Sequence, residues 1–448
     1  MKVLFANSPV YRSKSCNDEN NFQQSFIHAV LDRLPSQART KFYGAAARLN
    51  PGTERRFGVR AGSRWPWVMA KPPGSPHYPF FMGYAAGQLA LKSAFDVDII
   101  DYVAQERFYY PTFFNDIQKR SPDVLVLEYT APTSDIDQYL IASINQMNPS
   151  LKVILAGAGV TPDLQTQCSD KKLNVYAFIE GEYALSIETA ILGKIGQYYQ
   201  GELLMDLKKV AYPYRAFPEA ALYFDPTMPT AKPQLQIYGS KGCPFRCTFC
   251  SWPQLMYKRN VVLRQPDEIK AEIEDALKTH LYKSIFFDDD TFNLDTNRVS
   301  KISTMLGQFG LPWTWMGRLD CSPDWLYDQM IADGCVGMRF GVETFALEPL
   351  KAIKKGLERS DFDAALRRIC NKYPDIFIHL TMMKNMPQQT QQDHERDMQI
   401  MRELEFTSDT SNPRRTFQLS DCEPFPGTEL FADVAAGKVQ LTQLTPSS

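Results

Sequence analysis

The chain has 448 residues, of which 44% are hydrophobic and 22% charged, so it is long enough for two or three domains with a substantial core. A formal net charge of −2 argues against a global basic field for nucleic acid, and no apolar run reaches the roughly 18 residues that a membrane span needs. The nine cysteines are odd in number and mostly scattered, which argues against a disulfide framework and favours the reducing cytoplasm.

The first part of the chain alternates strand-like and helix-like segments, which predicts an α/β domain with a parallel sheet of the Rossmann-like kind. Strands are expected at 2–7, 97–101, 123–129, 152–157 and 177–181. Helices are expected at 78–94, 135–147 and 184–195, where apolar residues recur at spacings of three and four.

A long insertion, about 10–77, separates the first strand from the first predicted helix. Its segment 30–72 holds nine Lys or Arg residues against two acidic ones. Two interpretations stay open, a solvated basic surface and a cap over a bound anionic group. Residues 60–67 of this insertion combine arginine and tryptophan side chains.

A second alternation follows a proline-rich stretch. Its strands are expected at 234–240, 284–290, 313–318, 336–343, 376–384 and 415–423, and its helices at 266–280, 296–309, 323–333, 360–373 and 390–405. Right-handed crossovers between six such strands would form a partial (β/α)6 barrel with its active site at the carboxyl ends of the strands. The predicted domains are therefore 1–205 (Rossmann-like), 206–233 (linker), 234–430 (partial barrel) and 431–448 (a short polar tail).

Three cysteines with the spacing C-x3-C-x2-C follow the first predicted barrel strand, namely Cys243, Cys247 and Cys250. Thiolates are the usual ligands of iron–sulfur clusters, and three on one tight loop can hold three irons of a cubane while the fourth iron stays open. A zinc site would want a fourth Cys or His, and the nearest histidine, His280, lacks ligand spacing. The spacing favours a [4Fe–4S] cluster, with zinc or unligated thiols as alternatives.

The loop 242–250 resembles the signature of the radical S-adenosylmethionine (SAM) superfamily, C-x3-C-x-aromatic-C. The segments 286–290, 341–344, 383–390 and 424–428 resemble further motifs of that superfamily, although Gln389 replaces a usual glutamate. The resemblance implies that the open iron chelates SAM and that reductive cleavage yields a 5′-deoxyadenosyl radical. For Asp288, Asp289 and Asp290 in the segment 286–290, capping of the following helix is an equal alternative to a contact with SAM. The residues expected to contact SAM are Phe249, Asp288, Asp289, Asp290, Arg318 and Glu343.

The first half resembles the cobalamin-binding domain that is fused to many radical SAM enzymes, through the segments 78–89, 123–130, 156–161 and 180–182. The Asp-x-His-x-x-Gly motif is absent, so cobalamin would bind base-off without a protein histidine. The alternative is a degenerate domain that only shapes the substrate cleft. The residues expected at the cobalamin are Arg64, Trp65, Thr130, Thr133, Ser134, Gly157, Ala158, Gly159, Thr161, Glu180, Gly181 and Glu182.

Together these resemblances imply a cobalamin-dependent C-methyltransferase that moves a methyl group from SAM through methylcobalamin to an unactivated carbon of a small-molecule or peptide substrate. An external donor such as flavodoxin or ferredoxin would supply electrons, and no nucleic acid partner is expected. Cyclisation, ring contraction, oxygen insertion and a non-catalytic cobalamin or iron–sulfur carrier are alternatives. Methylthiolation of tRNA is disfavoured, because that family has three cysteines in its first domain and this chain has only Cys16 and Cys168 there.

Overall fold

The computed structural model of the protein describes residues 1–12, 26–35, 38–39, 41, 58–60, 69–70, 77–228, 230–355, 362–407 and 412–444. The chain divides into two compact units, Met1–Asp225 with Asp275–Leu281, and Pro226–Glu274 with Tyr282–Ser448. The predicted boundaries of the linker and tail stay predictions. No helix among the described residues has the length and apolar character that crossing a bilayer requires.

Six parallel strands form the main sheet of the first unit; the sequence predicts five of them, and the sixth, Gln197–Gln200, was not predicted. In chain order the strands are β1 (Lys2–Asn7), β2 (Tyr11–Arg12), β3 (Gly58–Arg60), β4 (Met69–Ala70), β5 (Asp96–Asp101), β6 (Val124–Glu128), β7 (Lys152–Gly157), β8 (Ala177–Glu180) and β9 (Gln197–Gln200). The main sheet has the order β5-β1-β6-β7-β8-β9, and β2, β3 and β4 form a small antiparallel sheet. Described helices are α1 (Phe26–Asp32), α2 (Phe80–Ala90), α3 (Tyr110–Arg120), α4 (Ser134–Met147), α5 (Pro162–Asp170) and α6 (Ile187–Leu192).

The central strands of this sheet are apolar along their length because helices cover both faces of a parallel sheet. Strand β6 has the sequence Val-Leu-Val-Leu-Glu, and all five residues are buried. Helices α3 and α5 were not predicted, since each buries few apolar residues. Helix α5 buries only Leu164 and Cys168, although Thr161 is a recognisable N-cap whose side chain accepts a hydrogen bond from the Leu164 amide.

The second unit also contains a six-stranded parallel sheet, which confirms the predicted second alternation of six strands with helices. Its strands are β10 (Gln234–Ile237), β11 (Ser240–Lys241), β12 (Val262–Leu263), β13 (Ser284–Phe287), β14 (Trp313–Gly317), β15 (Cys335–Glu343), β16 (Phe377–Lys384) and β17 (Arg415–Asp421). The sheet order is β10-β13-β14-β15-β16-β17, and β11 pairs with β12. The described helices from this part of the chain are α7 (Pro266–Thr279), α8 (Thr296–Gly307), α9 (Asp324–Ala332), α10 (Leu347–Ala352), α11 (Phe362–Lys372), α12 (Gln391–Glu403) and α13 (Glu429–Ala435).

The two faces of the second sheet differ in polarity. On one face Trp313 donates its indole N–H to the carbonyl of Asp333 at the end of α9, at 3.0 Å, so helices cover this side. The strand register places Thr314, Arg339 and His379 on the opposite face. This polar face belongs to an open sheet whose first and last strands, β10 and β17, are not neighbours within the described residues.

The amino-terminal ends of this sheet are covered by the segment that precedes it. Ser284 donates to the Ala231 carbonyl at 2.6 Å, and Thr416 donates to the Thr227 carbonyl at 3.3 Å. A Cβ added to Gly337 would lie 3.1 Å from the sulfur of Met228. Thr227, Met228 and Ala231 therefore lie on the amino-terminal side, and the carboxyl ends of the strands form the other side.

Residues 429–444 include a helix and further packing contacts where the sequence predicts only a short polar tail. Thr428 caps α13 by accepting a hydrogen bond from the Phe431 amide at 3.3 Å, and Leu430 is buried. Beyond the helix, the Leu444 amide donates to the side chain of Asn385 at 2.9 Å. The burial of Leu430 explains why this short helix packs against the unit.

Candidate active site

The three motif cysteines lie on one loop between β11 and the single π-helical turn Trp252–Met256. The loop begins at Gly242, whose φ is +79° and where an added Cβ would lie 2.0 Å from the Asn260 carbonyl oxygen, so only glycine fits. Cys247 is buried, while Cys243 and Cys250 are partly exposed. Cys243 Sγ lies 3.3 Å from Thr291 Oγ1.

Burial and nearby charges both affect the pKa values of the three thiols. Burial raises the pKa of each thiol, and the charge of Cys247 and of Cys243 further raises the pKa of Cys250. Arg318 and Lys355 act in the opposite direction and lower the pKa of Cys247 against the effect of burial. Nearby cations of this kind favour the thiolate that binds iron.

The donor set of this loop fits a three-cysteine cluster. Among the described residues no group of three or more His, Cys, Asp or Glu side chains is arranged around one metal-ion position. A cubane places each cysteine on a different iron, so its ligands need not converge on one point. The loop is also anchored on both sides, because the Thr248 amide donates to the Ile353 carbonyl at 2.9 Å and the Leu430 amide donates to the Thr248 carbonyl at 3.0 Å.

The aspartates that follow β13 hold the main chain leading into the cysteine loop. Asp289 accepts hydrogen bonds from the Gly239 amide at 2.7 Å and the Ser240 hydroxyl at 2.6 Å, and burial raises its pKa to about 7. Asp290 accepts from the Gly242 amide at 2.8 Å. Asp288 is buried beside them. Asp289 and Asp290 thus have a positioning role that the sequence did not reveal, and contact of these aspartates with SAM stays a prediction.

Arg318, at the end of β14, reaches the cysteine loop from the side. Its guanidinium lies 3.9 Å from the ring centroid of Phe245 and forms two hydrogen bonds to Asp320, at 2.9 and 2.7 Å. Asn293 fixes its main chain, donating to the Arg318 carbonyl at 2.7 Å and accepting from the Arg318 amide at 3.0 Å. A cation stacked on an aromatic ring and paired with a carboxylate is held in one orientation.

Glu343, at the end of β15, forms a buried ion pair that the sequence did not predict. Lys355 Nζ donates to Glu343 Oε1 at 2.6 Å and to the Gly341 carbonyl at 2.7 Å, and both charged side chains are less than a tenth exposed. Glu343 has a φ of +69°, a conformation that non-glycine residues seldom adopt. The run of lysines at 351–355 was visible in the sequence, but spacing alone does not say which lysine turns inward.

Asp397 on α12 supports the residues that follow Glu343. It accepts hydrogen bonds from the Thr344 hydroxyl at 2.6 Å and the Phe345 amide at 2.8 Å, and burial raises its pKa to about 6. Because β13, β14 and β15 are adjacent and parallel, the structure brings the predicted SAM residues of these three strand ends to one edge. Phe249 is partly exposed on the cysteine loop.

The described residues that were predicted to contact cobalamin lie at or just after the carboxyl ends of β6, β7 and β8, which are neighbours in the first sheet. Arg64 and Trp65 lie outside the described residues. They separate into two groups by exposure. Thr130, Thr133, Gly157, Gly159 and Glu182 are buried, whereas Ser134, Ala158, Thr161, Glu180 and Gly181 are at least partly exposed. The exposed group is the one that a ligand of the first unit could reach directly.

The buried threonines use their hydroxyls inside the unit. Thr133 donates to Asp137 at 2.6 Å, and its Oγ1 lies 3.0 Å from Thr130 Oγ1. Asp137 is in turn paired with Arg60, whose side chain is fully buried. One arginine of the basic insertion therefore belongs to a buried ion pair, which is neither of the two interpretations that the composition suggested.

The acidic residues after β8 also have internal partners. Glu182 accepts a hydrogen bond from the Leu204 amide at 2.7 Å, and Glu180 accepts one from the Tyr198 hydroxyl at 2.7 Å. Gly181 has a φ of +75°, and a Cβ added there would have no atom within 4 Å. A side chain at Gly181 would therefore meet open space, as it would at Gly196 and Gly310.

Gly159 is required by packing within the first unit. A Cβ at this position would lie 2.7 Å from Thr130 Cα and 2.7 Å from the Tyr129 carbonyl oxygen. We expect Gly159→Ala to destabilise the unit by about 1–3 kcal/mol, with or without cobalamin, because the backbone must shift. Hydrogen-exchange mass spectrometry of peptides from β6 and β7 during urea unfolding measures this.

The matched control for that substitution is Gly307→Ala, where the nearest atom is 3.4 Å from the added Cβ. Alanine there is expected to be neutral or stabilising, since it favours the helix over glycine. Unchanged stability in Gly159→Ala would contradict the packing role and leave approach of a ligand as the reason for glycine.

Comparisons with known proteins agree with this arrangement. The model of the Radical SAM superfamily matches residues 237–401. A protein of Pyrococcus horikoshii that is named an uncharacterized methyltransferase is 25% identical over 393 residues, which cover 82% of this chain and 81% of that protein. A tRNA-2-methylthio-N(6)-dimethylallyladenosine synthase of Corynebacterium jeikeium is 23% identical over 349 residues, covering 71% of this chain and 63% of that protein.

Two solved structures share the fold across most of the chain. The radical SAM methyltransferase TsrM from Kitasatospora setae, solved with tryptophan substrate and a SAM analogue, has a TM-score of 0.59 at 15% identity and covers 82% of this chain and 75% of its own. The cobalamin-dependent SAM radical enzyme OxsB, solved with aqua-cobalamin and SAM, has a TM-score of 0.60 at 13% identity, covering 81% and 59%. At these identities the likeness establishes the fold alone. By the superfamily match and the three-cysteine loop, the chain contains a radical S-adenosylmethionine domain over residues 237–401, which follows an N-terminal parallel-sheet unit.

Proposed function

We propose that this enzyme is a cobalamin-dependent methyltransferase that carries a methyl group from SAM to an unactivated carbon of a small-molecule or peptide substrate. The observation that carries the proposal is similarity across both units at once. The relative named a methyltransferase matches 82% of the chain, and the fold of OxsB, which binds cobalamin and SAM, matches 81%. Similarity to a radical SAM barrel alone would cover only the second unit.

In this proposal the second unit holds a [4Fe–4S] cluster and SAM. Cys243, Cys247 and Cys250 are the iron ligands, and Glu343 is the carboxylate that accepts hydrogen bonds from SAM. When bound, these groups supply a carbon-centred radical, and cobalamin supplies the methyl group. Lys355 orients Glu343, and Asp289 and Asp290 fix the strand that enters the cysteine loop.

The first unit holds the cobalamin in this proposal. Ser134, Ala158, Thr161 and Glu180 are accessible at the carboxyl edge of the sheet, and a Cβ added to Gly181 would have no atom within 4 Å. The contribution of the chain is to hold the reacting groups in line and to exclude water. An external reductant such as flavodoxin or ferredoxin supplies electrons.

The test uses the full chain, reconstituted anaerobically with iron and sulfide and incubated with hydroxocobalamin. We expect iron for one cluster, about one retained corrin per chain by absorption spectroscopy, and 5′-deoxyadenosine when SAM and dithionite are added. With methyl-labelled SAM under reducing conditions, the label is expected in the bound cobalamin even without a substrate. Label in the corrin separates a methyltransferase from an enzyme of cyclisation, ring contraction or oxygen insertion.

Three outcomes contradict the proposal. Formation of 5′-deoxyadenosine by protein that retains no corrin would leave a radical SAM enzyme with a different reaction. Retained corrin that acquires no label from SAM would remove the methyl-transfer step. A protein that binds the cofactors without cleaving SAM would instead be a carrier.

A methylthiotransferase is the second candidate, because the relative from Corynebacterium jeikeium has that activity in its name. The cysteines argue against it. Cys168 is buried on α5 among apolar side chains, and the sequence has only one other cysteine, Cys16, before the motif. Iron for a second cluster in the reconstituted protein would favour this candidate over the methyltransferase.

A further inference from the structure

One side chain outside the motif segments holds the main chain of the cysteine loop. Gln254 lies in the π-helical turn that follows the last cysteine. Its side-chain nitrogen donates to the carbonyl oxygens of Cys247 at 3.3 Å, Thr248 at 3.1 Å and Cys250 at 2.7 Å. An amide nitrogen has two N–H groups, so at least one is shared between two of these carbonyls.

The other end of the same amide reaches helix α13. Gln254 Oε1 accepts a hydrogen bond from the Glu429 amide at 2.8 Å, at the first residue of that helix. The next residue of α13, Leu430, donates its amide to the Thr248 carbonyl at 3.0 Å. The cysteine loop is therefore joined to α13 both directly and through Gln254.

The local backbone explains how this side chain reaches the loop. The turn Trp252–Met256 has the wider i→i+5 pattern, in which the Tyr257 amide donates to the Trp252 carbonyl at 3.1 Å. Such single π turns are frequent at functional sites. The partly buried side chain of Gln254 is directed back over the carbonyls of the loop rather than outward.

The consequence concerns the two cysteines whose carbonyls are held. Removing a side chain that orients metal ligands lowers metal affinity even when that side chain does not touch the metal. The ligand atoms keep their geometry only while their main chain is held. Gln254 donates to the main-chain carbonyls of both Cys247 and Cys250, so it holds the backbone of two of the three motif cysteines.

We propose that Gln254 is a positioning residue for the iron–sulfur cluster: its side-chain N–H groups hold the backbone of Cys247 and Cys250, and its carbonyl oxygen couples this loop to α13. The inference depends on the cluster loop of the radical SAM unit and is independent of cobalamin or methyl transfer. It assigns to α13 a part in retaining the cluster.

The test compares Gln254→Glu with Gln254→Met in the full, reconstituted chain. Glutamate keeps an oxygen that can accept from the Glu429 amide and loses the donors to the loop, whereas methionine loses both. We expect both variants to lose iron to a chelator about tenfold faster than the wild type, the scale found when groups that orient metal ligands are removed. The electron paramagnetic resonance spectrum of the reduced cluster is expected to change in both.

The matched control is Gln308→Glu, the same chemical change at an exposed glutamine after α8. It is expected to release iron at the wild-type rate. Gln254→Lys restores an N–H donor without the carbonyl oxygen, so it is expected to recover part of the iron retention lost in Gln254→Glu. Circular dichroism of each apoprotein reports whether the variant folds.

Several outcomes overturn the inference. Wild-type iron release and an unchanged spectrum in Gln254→Glu would show that the donors to the loop are not needed. Iron release from Gln254→Lys as fast as from Gln254→Glu would show that an N–H donor at this position does not retain the cluster. None of these measurements uses cobalamin or a substrate. If the role of Gln254 is refuted, the methyltransferase proposal still stands, and if the methyltransferase proposal is refuted, the role of Gln254 still stands.

Discussion

Alanine in place of Cys247 is expected to prevent retention of the iron–sulfur cluster and to reduce 5′-deoxyadenosine formation to background. Cys247 is the buried member of the three thiols, and Arg318 and Lys355 are the cations that favour its thiolate. A cluster with two cysteine ligands has lost one iron anchor, and iron binding requires thiolates. Iron and sulfide content, together with chromatographic detection of 5′-deoxyadenosine after addition of dithionite, measures the result.

The control for this substitution is Cys335→Ala. Cys335 is also buried but begins β15, at the end of the strand away from Glu343, and its thiol lies 3.6 Å from the Gly337 carbonyl. This variant is expected to keep its full iron content. Full iron content and activity in Cys247→Ala would mean that the loop does not hold the cluster, and the assignment of the whole site would have to be abandoned.

Methionine at Lys355 is expected to destabilise the protein by about 3–5 kcal/mol, because it leaves the Glu343 carboxylate buried without its cation. Glu343→Gln is expected to be less damaging to folding, since Lys355 keeps the Gly341 carbonyl, but to weaken SAM binding directly. The double variant Glu343→Gln with Lys355→Met is expected to be more stable than the sum of the single changes predicts.

Urea unfolding followed by tryptophan fluorescence reports on this pair, because four of the six tryptophans lie between residues 252 and 325. Isothermal titration with SAM gives the effect on binding. Lys351→Met is the matched control, since Lys351 pairs with Glu348 at 2.9 Å on the surface, with side chains 50% and 64% exposed. Such a pair contributes about 0–1 kcal/mol. Equal costs for the two lysines would refute the special role of the buried pair.

Much of the fold was predictable from local patterns. Both parallel sheets were expected from short apolar strands that alternate with amphipathic helices, and β1 and β7 begin and end where the pattern predicts. Helices α3 and α5 were missed because each buries only two or three apolar residues, too few for periodicity to stand out from a loop.

The candidate site was predictable only in part. The spacing of the three cysteines is local, so the sequence alone indicates a cluster loop. The acidic run after β13 was also visible, but not that Asp289 and Asp290 bind the amides of residues 239 and 242, about fifty positions earlier in the chain. The sequence also did not show that Gly159 is needed because the backbone of Thr130 packs closely against it.

Local spacing was sufficient to predict the alternation of strands and helices and the three thiols on one loop, because each of these features depends on residues that are close together in the sequence. Which lysine faces Glu343, which arginine of the insertion enters the first unit, and which glutamine holds the cysteine loop depended on the folded chain. Lys355, Arg60 and Gln254 find their partners 12, 77 and 175 residues away. Contacts over such separations depend on which segments the folded sheets bring together. The periodicity of residues along the chain does not predict them.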